Sequence, residues 1–258
     1  MQIFYWCPFL THIATINAVK NSATSLKRYK KDINVKILNS VGEWNFLKNN
    51  DHNINVENVQ KLNIYDLLPK EGFFRIRFSF LIIALLNLFP LLKIIKKEKP
   101  NFLIIHLLTI LPIILSPILY KNTKIILRIS GFPNLKFGRG FFWKFFSKYI
   151  YAVTTPTKLT SDMLIENKIF DRKKIFLLRD PIINCHLINK KKKENLEESF
   201  LNKEFYLSIG RLTNQKNFEF LKIFTKIALK KTKIVKTRKN MQKYQKLLIY
   251  HVNKFLSD

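Results

Sequence analysis

Phe205-Tyr206-Leu207-Ser208-Ile209-Gly210-Arg211-Leu212-Thr213-Asn214-Gln215-Lys216-Asn217-Phe218 is the stretch on which the reading of this chain turns. Phe205 to Ile209 has the short apolar character of a strand, Gly210 permits a tight turn, and the apolar run from Phe218 to Leu229 predicts a helix. A strand that enters a helix through a short loop leaves backbone N–H groups of the first helical turn pointing outward. Arg211 and Lys216 add two cations at that point, so the loop suits a diphosphate. As a generic pattern it is also the sequence of a plain βα turn with two surface cations.

Working towards the amino terminus, short β-rich runs alternate with helical stretches, which predicts βα units around a parallel sheet. Strands are expected at Ile3–Trp6, Val35–Leu38, Val59–Ile64, Phe102–His106, Lys124–Arg128, Tyr151–Thr154 and Ile175–Leu178. Helices are expected at Ile13–Tyr29, Arg75–Ile95, Ile110–Tyr120 and Arg139–Lys148, with another that begins at Thr155-Pro156-Thr157 and runs to about Asn167. The strands are short and continuous, as strands buried on both faces are. Lys190 to Lys193, followed by Glu194, Glu197 and Glu198, reads as a polar linker. The expected organisation is an amino-terminal Rossmann-like domain over residues 1–189, a linker over 190–203, and an incomplete second Rossmann-like domain with a basic tail over 204–258.

That tail has its own texture. From Lys226 onward only Asp258 is acidic, no Gly follows Gly210 and no Pro follows Pro181. A second Rossmann-like domain needs more turns than this, so the tail reads as a basic helix closing a short form, or as a frame lost near Thr225.

The 258 residues carry a formal charge of +29, with 47% apolar residues, enough for a sizeable core. Such a charge points to nucleic acid or an anionic membrane surface. Heavy use of Lys, Ile, Asn and Phe beside only 6 Gly also follows from an AT-rich coding sequence. Cys7 and Cys185 are the only cysteines and form no metal-ligand spacing, which fits a reducing cytoplasm. The amino terminus has no basic region, long apolar run or cleavage site of a signal peptide and reads as a strand. Phe78–Ile95 and Phe102–Leu119 approach the length of a membrane span, but Asn87, Pro90, His106, Pro112 and Pro117 interrupt them. A buried strand and buried helix account for the second run. Around the first, Phe73, Phe74, Arg75 and Arg77 before the helix and Lys93, Lys96 and Lys97 at its end suit either an interfacial helix on anionic lipid or a core helix with solvated ends.

The literal string Gly210-Arg211-Leu212-x-x-Gln215-Lys216-Asn217 after an apolar strand resembles the donor-domain opening of family 4 nucleotide-sugar glycosyltransferases, which have the two-Rossmann-domain GT-B fold. The resemblance implies that Gly210, Arg211 and Lys216 meet the donor phosphates and that no metal cofactor is needed. Tyr151 to Thr157 is similar to the strand and helix start before that family's interdomain crossing, and Lys174 to Ile182 to the crossing itself. Asp180-Pro181 stands there in place of the usual Asn-Pro. Leu127 to Pro133 resembles the loop that faces the donor sugar, with Ser130 before Gly131 where many members carry His. In the donor domain the family carries two Glu seven residues apart, and this chain has no Glu after Glu219.

Further candidates sit at strand ends, where open α/β sheets bind ligands. His106 could touch acceptor or donor, or be structural. Arg128 is a candidate acceptor-phosphate contact. His12 lies in the first βα loop, where relatives have a Gly-rich turn that this chain lacks. The resemblance implies a retaining transferase that moves a sugar from a nucleotide diphosphate to a glycan or lipid-linked acceptor in cell-envelope polysaccharide or lipopolysaccharide synthesis, on the cytoplasmic side of the plasma membrane. A second reading is a basic nucleic-acid- or membrane-binding protein on an α/β scaffold, with Tyr244, Tyr250 and Phe255 among the tail lysines, and a third is an inactive remnant of a transferase. No specific nucleic-acid partner is expected.

Overall fold

The computed structural model describes residues 1–30, 32–50, 54–135, 138–181, 185–193, 205–206, 217–218 and 233–234. The chain divides into two compact units, Met1–Ile182 and Ile183–Asp258. In the first, β1 (Gln2–Trp6), β2 (Asn34–Asn39), β3 (Asn55–Asn58), β4 (Phe102–Ile105), β5 (Lys124–Arg128), β6 (Ala152–Thr155) and β7 (Ile175–Leu177) form one parallel sheet in the order β3-β2-β1-β4-β5-β6-β7. The order reverses between β1 and β4, and the crevice beyond the carboxyl ends at such a reversal is where doubly wound sheets bind ligands.

Helices cover both faces of this Rossmann-like sheet. On one side, α1 (Ala14–Tyr29) buries Ile16, Val19 and Ala23, and α2 (Asn45–Asn50) adds Leu47 to a cluster with Ile3, Tyr5, Val35 and Ile37. On the other, α3 (Phe73–Glu98), α4 (Ile110–Leu119), α5 (Arg139–Phe146) and α6 (Lys158–Glu166) pack on Phe4, Trp6, Leu103, Ile105, Ile125, Leu127 and Val153. Consecutive strand residues face opposite ways, so β1, β2 and β4 each supply both cores, while β5 and β6 contribute to the second.

Several elements differ from the sequence expectation. The third strand is Asn55–Asn58, not Val59–Ile64; as the sheet's edge it is half exposed, so it tolerates Asn55, Glu57 and Asn58 and lacks an apolar run. Pro156 precedes α6: Thr157 is the cap, and its hydroxyl accepts the Thr160 N–H at 3.3 Å. Pro117 lies inside α4 and cannot donate to the Ile113 carbonyl, which instead accepts the Ser116 hydroxyl at 2.6 Å. α4 is also not buried all round, because Ile110, Ile114 and Ile118 face solvent.

In the second unit, α7 (Cys185–Lys192) takes in Lys190 to Lys192, which the sequence reading gave to a linker; lysines in a last turn favour the negative end of the helix dipole. Phe205–Tyr206 (β8) pairs in parallel with Lys233–Ile234 (β9), so the basic tail supplies a strand.

Candidate functional site

Beyond the carboxyl ends of β4 and β5 lies a cavity of about 780 Å³, walled by the loops after the two strands and by the start of α5. His106, Arg128, Ser130 and Gly131 line it, with Arg139 and Trp143 from α5. The sequence had assigned the first four to the acceptor or donor-sugar side, and the fold brings them together. His106 follows β4 directly, and its backbone N–H donates to the Trp6 carbonyl at 2.9 Å, which fixes it at the sheet reversal.

The His106 ring is buried beside the Arg128 guanidinium. Burial, and then that charge, push its pKa down to about 3, so the imidazole is neutral at physiological pH. Its Nδ1 has no hydrogen-bond partner, and neither has the buried Ser130 hydroxyl. Among the described residues only three buried side-chain polar atoms lack a partner, and two of them line this cavity. Unpaired buried polar groups are costly unless water or a ligand meets them, so this concentration makes the cavity the candidate site. A Cβ added at Gly131 would meet nothing within 4 Å, so the loop is open there.

The loop after β4 holds a second device. Leu108 has φ +45°, a conformation that side chains disfavour, and the Trp6 indole N–H donates to its carbonyl at 3.2 Å. A buried strand residue thus pins a strained cavity wall. Nothing at Leu107-Leu108 in the sequence announces this.

Arg128 is not a free cation. Its Nε and Nη2 donate to Asp180 Oδ1 at 3.1 and 2.5 Å, and Nη1 donates to the Leu178 carbonyl at 2.5 Å. The pair is nearly buried and ties the end of β5 to the segment after β7. Asp180, at the position where the resembled transferases carry Asn, thereby gives Arg128 its counter-charge. Three of five guanidinium donors are engaged by the fold, which leaves Arg128 a limited capacity for an acceptor phosphate.

The remaining candidates lie elsewhere. His12 is exposed in the first βα loop, with its ring 5.4 Å from Phe9 and 5.2 Å from Phe46, and does not line the cavity. Gly210, Arg211 and Lys216 lie outside the described residues; next to them Asn217 has φ +45° and Phe218 is helical. Among the described residues no group of three His, Cys, Asp or Glu side chains is placed to hold a metal ion. Burial raises the Cys7 thiol to about 12, so it stays protonated.

The sequence reading missed a second cavity, of about 400 Å³, at the ends of β2 and β3. Asn39, Asn45, Asn58, Gln60 and Asn63 line it around Gly42. The Asn39 amide donates to Asn45 and Asn58 at 2.8 and 2.9 Å and accepts from the Gly42 and Trp44 N–H groups at 3.1 Å. Gly42 has φ +106°, and a Cβ there would lie 1.8 Å from Asn63 Oδ1, so only glycine fits. Beneath it the buried Glu43 carboxylate accepts from both Ser40 groups and the Val41 N–H, while burial raises its pKa.

No protein-family model matches the chain, and no curated protein matches it in sequence. Solved structures share its fold. The apo form of the lipopolysaccharide outer core galactosyltransferase WaaB superposes with a TM-score of 0.57 at 12% identity, over 98% of this chain and 65% of its own. Anabaena HepE, solved with UDP-glucose, gives 0.56 at 12% identity, over 98% of this chain and 66% of its own. UDP-N-acetylglucosamine 2-epimerase from Rickettsia bellii gives 0.52 at 10% identity, over 95% and 64%. The chain thus spans about two thirds of the length of these proteins, and what it shares with them is the Rossmann-like fold of nucleotide-sugar glycosyltransferases and epimerases.

Proposed function

We infer that this chain belongs to a nucleotide-sugar glycosyltransferase that moves a sugar from a UDP-type donor to a hydroxyl of a glycan or lipid-linked acceptor in cell-envelope polysaccharide or lipopolysaccharide synthesis at the cytoplasmic face. The carrying observation is the cavity at the sheet reversal, which the unpartnered His106 and Ser130 line together with a paired arginine. The neutral imidazole and the hydroxyl offer hydrogen bonds to sugar hydroxyls without a charge to desolvate. Gly131 leaves room for the ring.

In this reading Arg211 and Lys216 bind the diphosphate and stabilise it as it leaves, without a metal ion. Transfer with retention of configuration rests on orienting donor and acceptor rather than on a protein nucleophile. The fold shared with an epimerase supports a second reading, isomerisation of a nucleotide sugar with no acceptor.

Calorimetric titration of the folded chain with UDP-glucose tests the proposal. Saturable binding is expected, weakened about tenfold or more by Arg211→Ala, because a hydrogen bond to a charged group contributes about 1.5–3 kcal/mol, and about two- to tenfold by Ser130→Ala, because a neutral one contributes about 0.5–1.5 kcal/mol. A folded chain that binds no UDP-sugar contradicts it. Conversion of UDP-N-acetylglucosamine to its 2-epimer without acceptor would move the reading to the epimerase. Binding is the readout rather than turnover because the chain spans about two thirds of the transferases' length.

A further inference from the structure

Three neighbouring helices on one side of the sheet each expose large apolar side chains. On α3 the buried residues are Ser79, Ile83, Asn87, Leu91 and Ile95, spaced by four, and they hold the helix against the protein. The opposite stripe, Phe74, Phe78, Leu81, Leu85 and Phe89, is exposed, Phe89 at 76% and Leu85 at 64%. α4 packs beside α3 and α5 beside α4. Ile110, Ile114 and Ile118 continue the exposed surface on α4, and Phe141 and Phe145 on α5. A patch formed by three helices exceeds the scattered apolar residues that soluble proteins normally show.

Its border is cationic. Arg75 and Arg77 lie at the start of the α3 stripe, Lys93, Lys96 and Lys97 at its end, and Lys144 on α5. The one acid on these helices, Glu98, accepts from Gln2 and Lys36 at 3.0 and 3.3 Å.

We propose that the exposed face of α3, α4 and α5 docks flat on an anionic lipid bilayer, with its aromatic and aliphatic side chains among the acyl chains and its cations on the headgroups. Apolar surface between cations matches the two layers of such a membrane. A second copy of the chain would set the same cations against each other, and like charges across an interface repel. α3 is long and apolar enough to cross a membrane, with 28% of its most apolar window buried. Crossing would strip its buried face, Ser79 and Asn87 included, from the core, whereas lying flat keeps that packing. The proposal does not depend on the transferase reading, because lipid and nucleotide sugar are measured separately.

The test is flotation of the full chain with phosphatidylcholine vesicles, with and without phosphatidylglycerol, at low salt and at about 1 M salt, where the Debye length falls to about 3 Å. At this salt the charge of +29, tail included, is screened, and what remains reports apolar insertion. The expected result is preferential flotation with phosphatidylglycerol at low salt and a bound fraction that persists at high salt. Combined Phe78→Glu, Leu85→Glu and Phe89→Glu lowers that persistent fraction at least tenfold, with circular dichroism unchanged because all three side chains face solvent. Combined Lys93→Gln, Lys96→Gln and Lys97→Gln reduces only the low-salt preference. Unchanged flotation of the triple-Glu chain at high salt overturns the proposal, as does wild-type chain that leaves the vesicles entirely there. Sedimentation as a dimer that the triple-Glu change dissociates would assign the face to a second copy. Chain that only detergent extracts would make α3 a span.

Discussion

The two cavities sit at the same end of one sheet and treat their polar groups in opposite ways. At the ends of β2 and β3, carboxamides bond to one another, and Gly42 lets Asn63 close against the backbone. At the ends of β4 and β5, His106 Nδ1 and Ser130 Oγ have no partner, and beyond its chain neighbours nothing stands within 4 Å of a Cβ placed at Gly131. A polar network satisfied within itself rigidifies a loop, and one left incomplete awaits a ligand. The first cavity has the character of a structural network, and the second is the one on which the proposed function rests.

The largest expected effect comes from the pair behind the second cavity. Asp180→Ala leaves Arg128 buried without a counter-charge and is expected to cost about 3–5 kcal/mol, read by urea unfolding. A loss below about 1 kcal/mol would make Arg128 a solvated cation available to an acceptor phosphate.

The glycines test the contrast next. Gly42→Ala forces a side chain into a positive φ and against Asn63, and should cost about 1–3 kcal/mol while leaving UDP-sugar affinity per folded molecule unchanged. Gly131→Ala should leave the thermal midpoint within about 2 °C but weaken UDP-sugar binding. The reverse pattern would exchange the roles of the two cavities.

Acid separates them more gently. The His106 pKa of about 3 lies below its unfolded value of 6.5, so its contribution to stability is complete above pH 6.5 and is lost as pH falls towards 3. Glu43 has a raised pKa, so its contribution is present in acid and lost as pH rises. His106→Gln should flatten the decline between about pH 6 and 4, by at most about 1.4 kcal/mol per pH unit, and Glu43→Gln should steepen it. Identical pH profiles for wild type and His106→Gln would place a protonated imidazole in the folded cavity.

These differences also mark what the sequence could disclose. β1, β2, β4, β5 and β6 were legible because strands in the middle of a parallel sheet are continuous apolar runs. β3 was not, since an edge strand with Asn55, Glu57 and Asn58 carries no such signal, and neither was the six-residue α2. His106 was singled out as a strand-end residue and Ser130 and Gly131 by the resemblance of their loop, and the fold brings the three to one cavity. The Arg128–Asp180 pair joins residues 52 positions apart, and residues 129–179 hold no motif that predicts it. The apolar run of α4 looked wholly buried, because composition records how many apolar residues a helix has and not which neighbours cover them. Exposed Ile110, Ile114 and Ile118 belong to that missing information.

The central claim is that the His106 cavity takes part in binding a nucleotide sugar. The most direct measurement follows the imidazole C–H resonances of the five histidines by NMR as UDP-glucose is added, with the His106 signal assigned by its loss in His106→Gln. The account predicts a saturable shift of the His106 resonance with the same affinity that calorimetry gives, while the exposed His12 signal stays in place. Saturable binding that leaves the His106 resonance unmoved would contradict it.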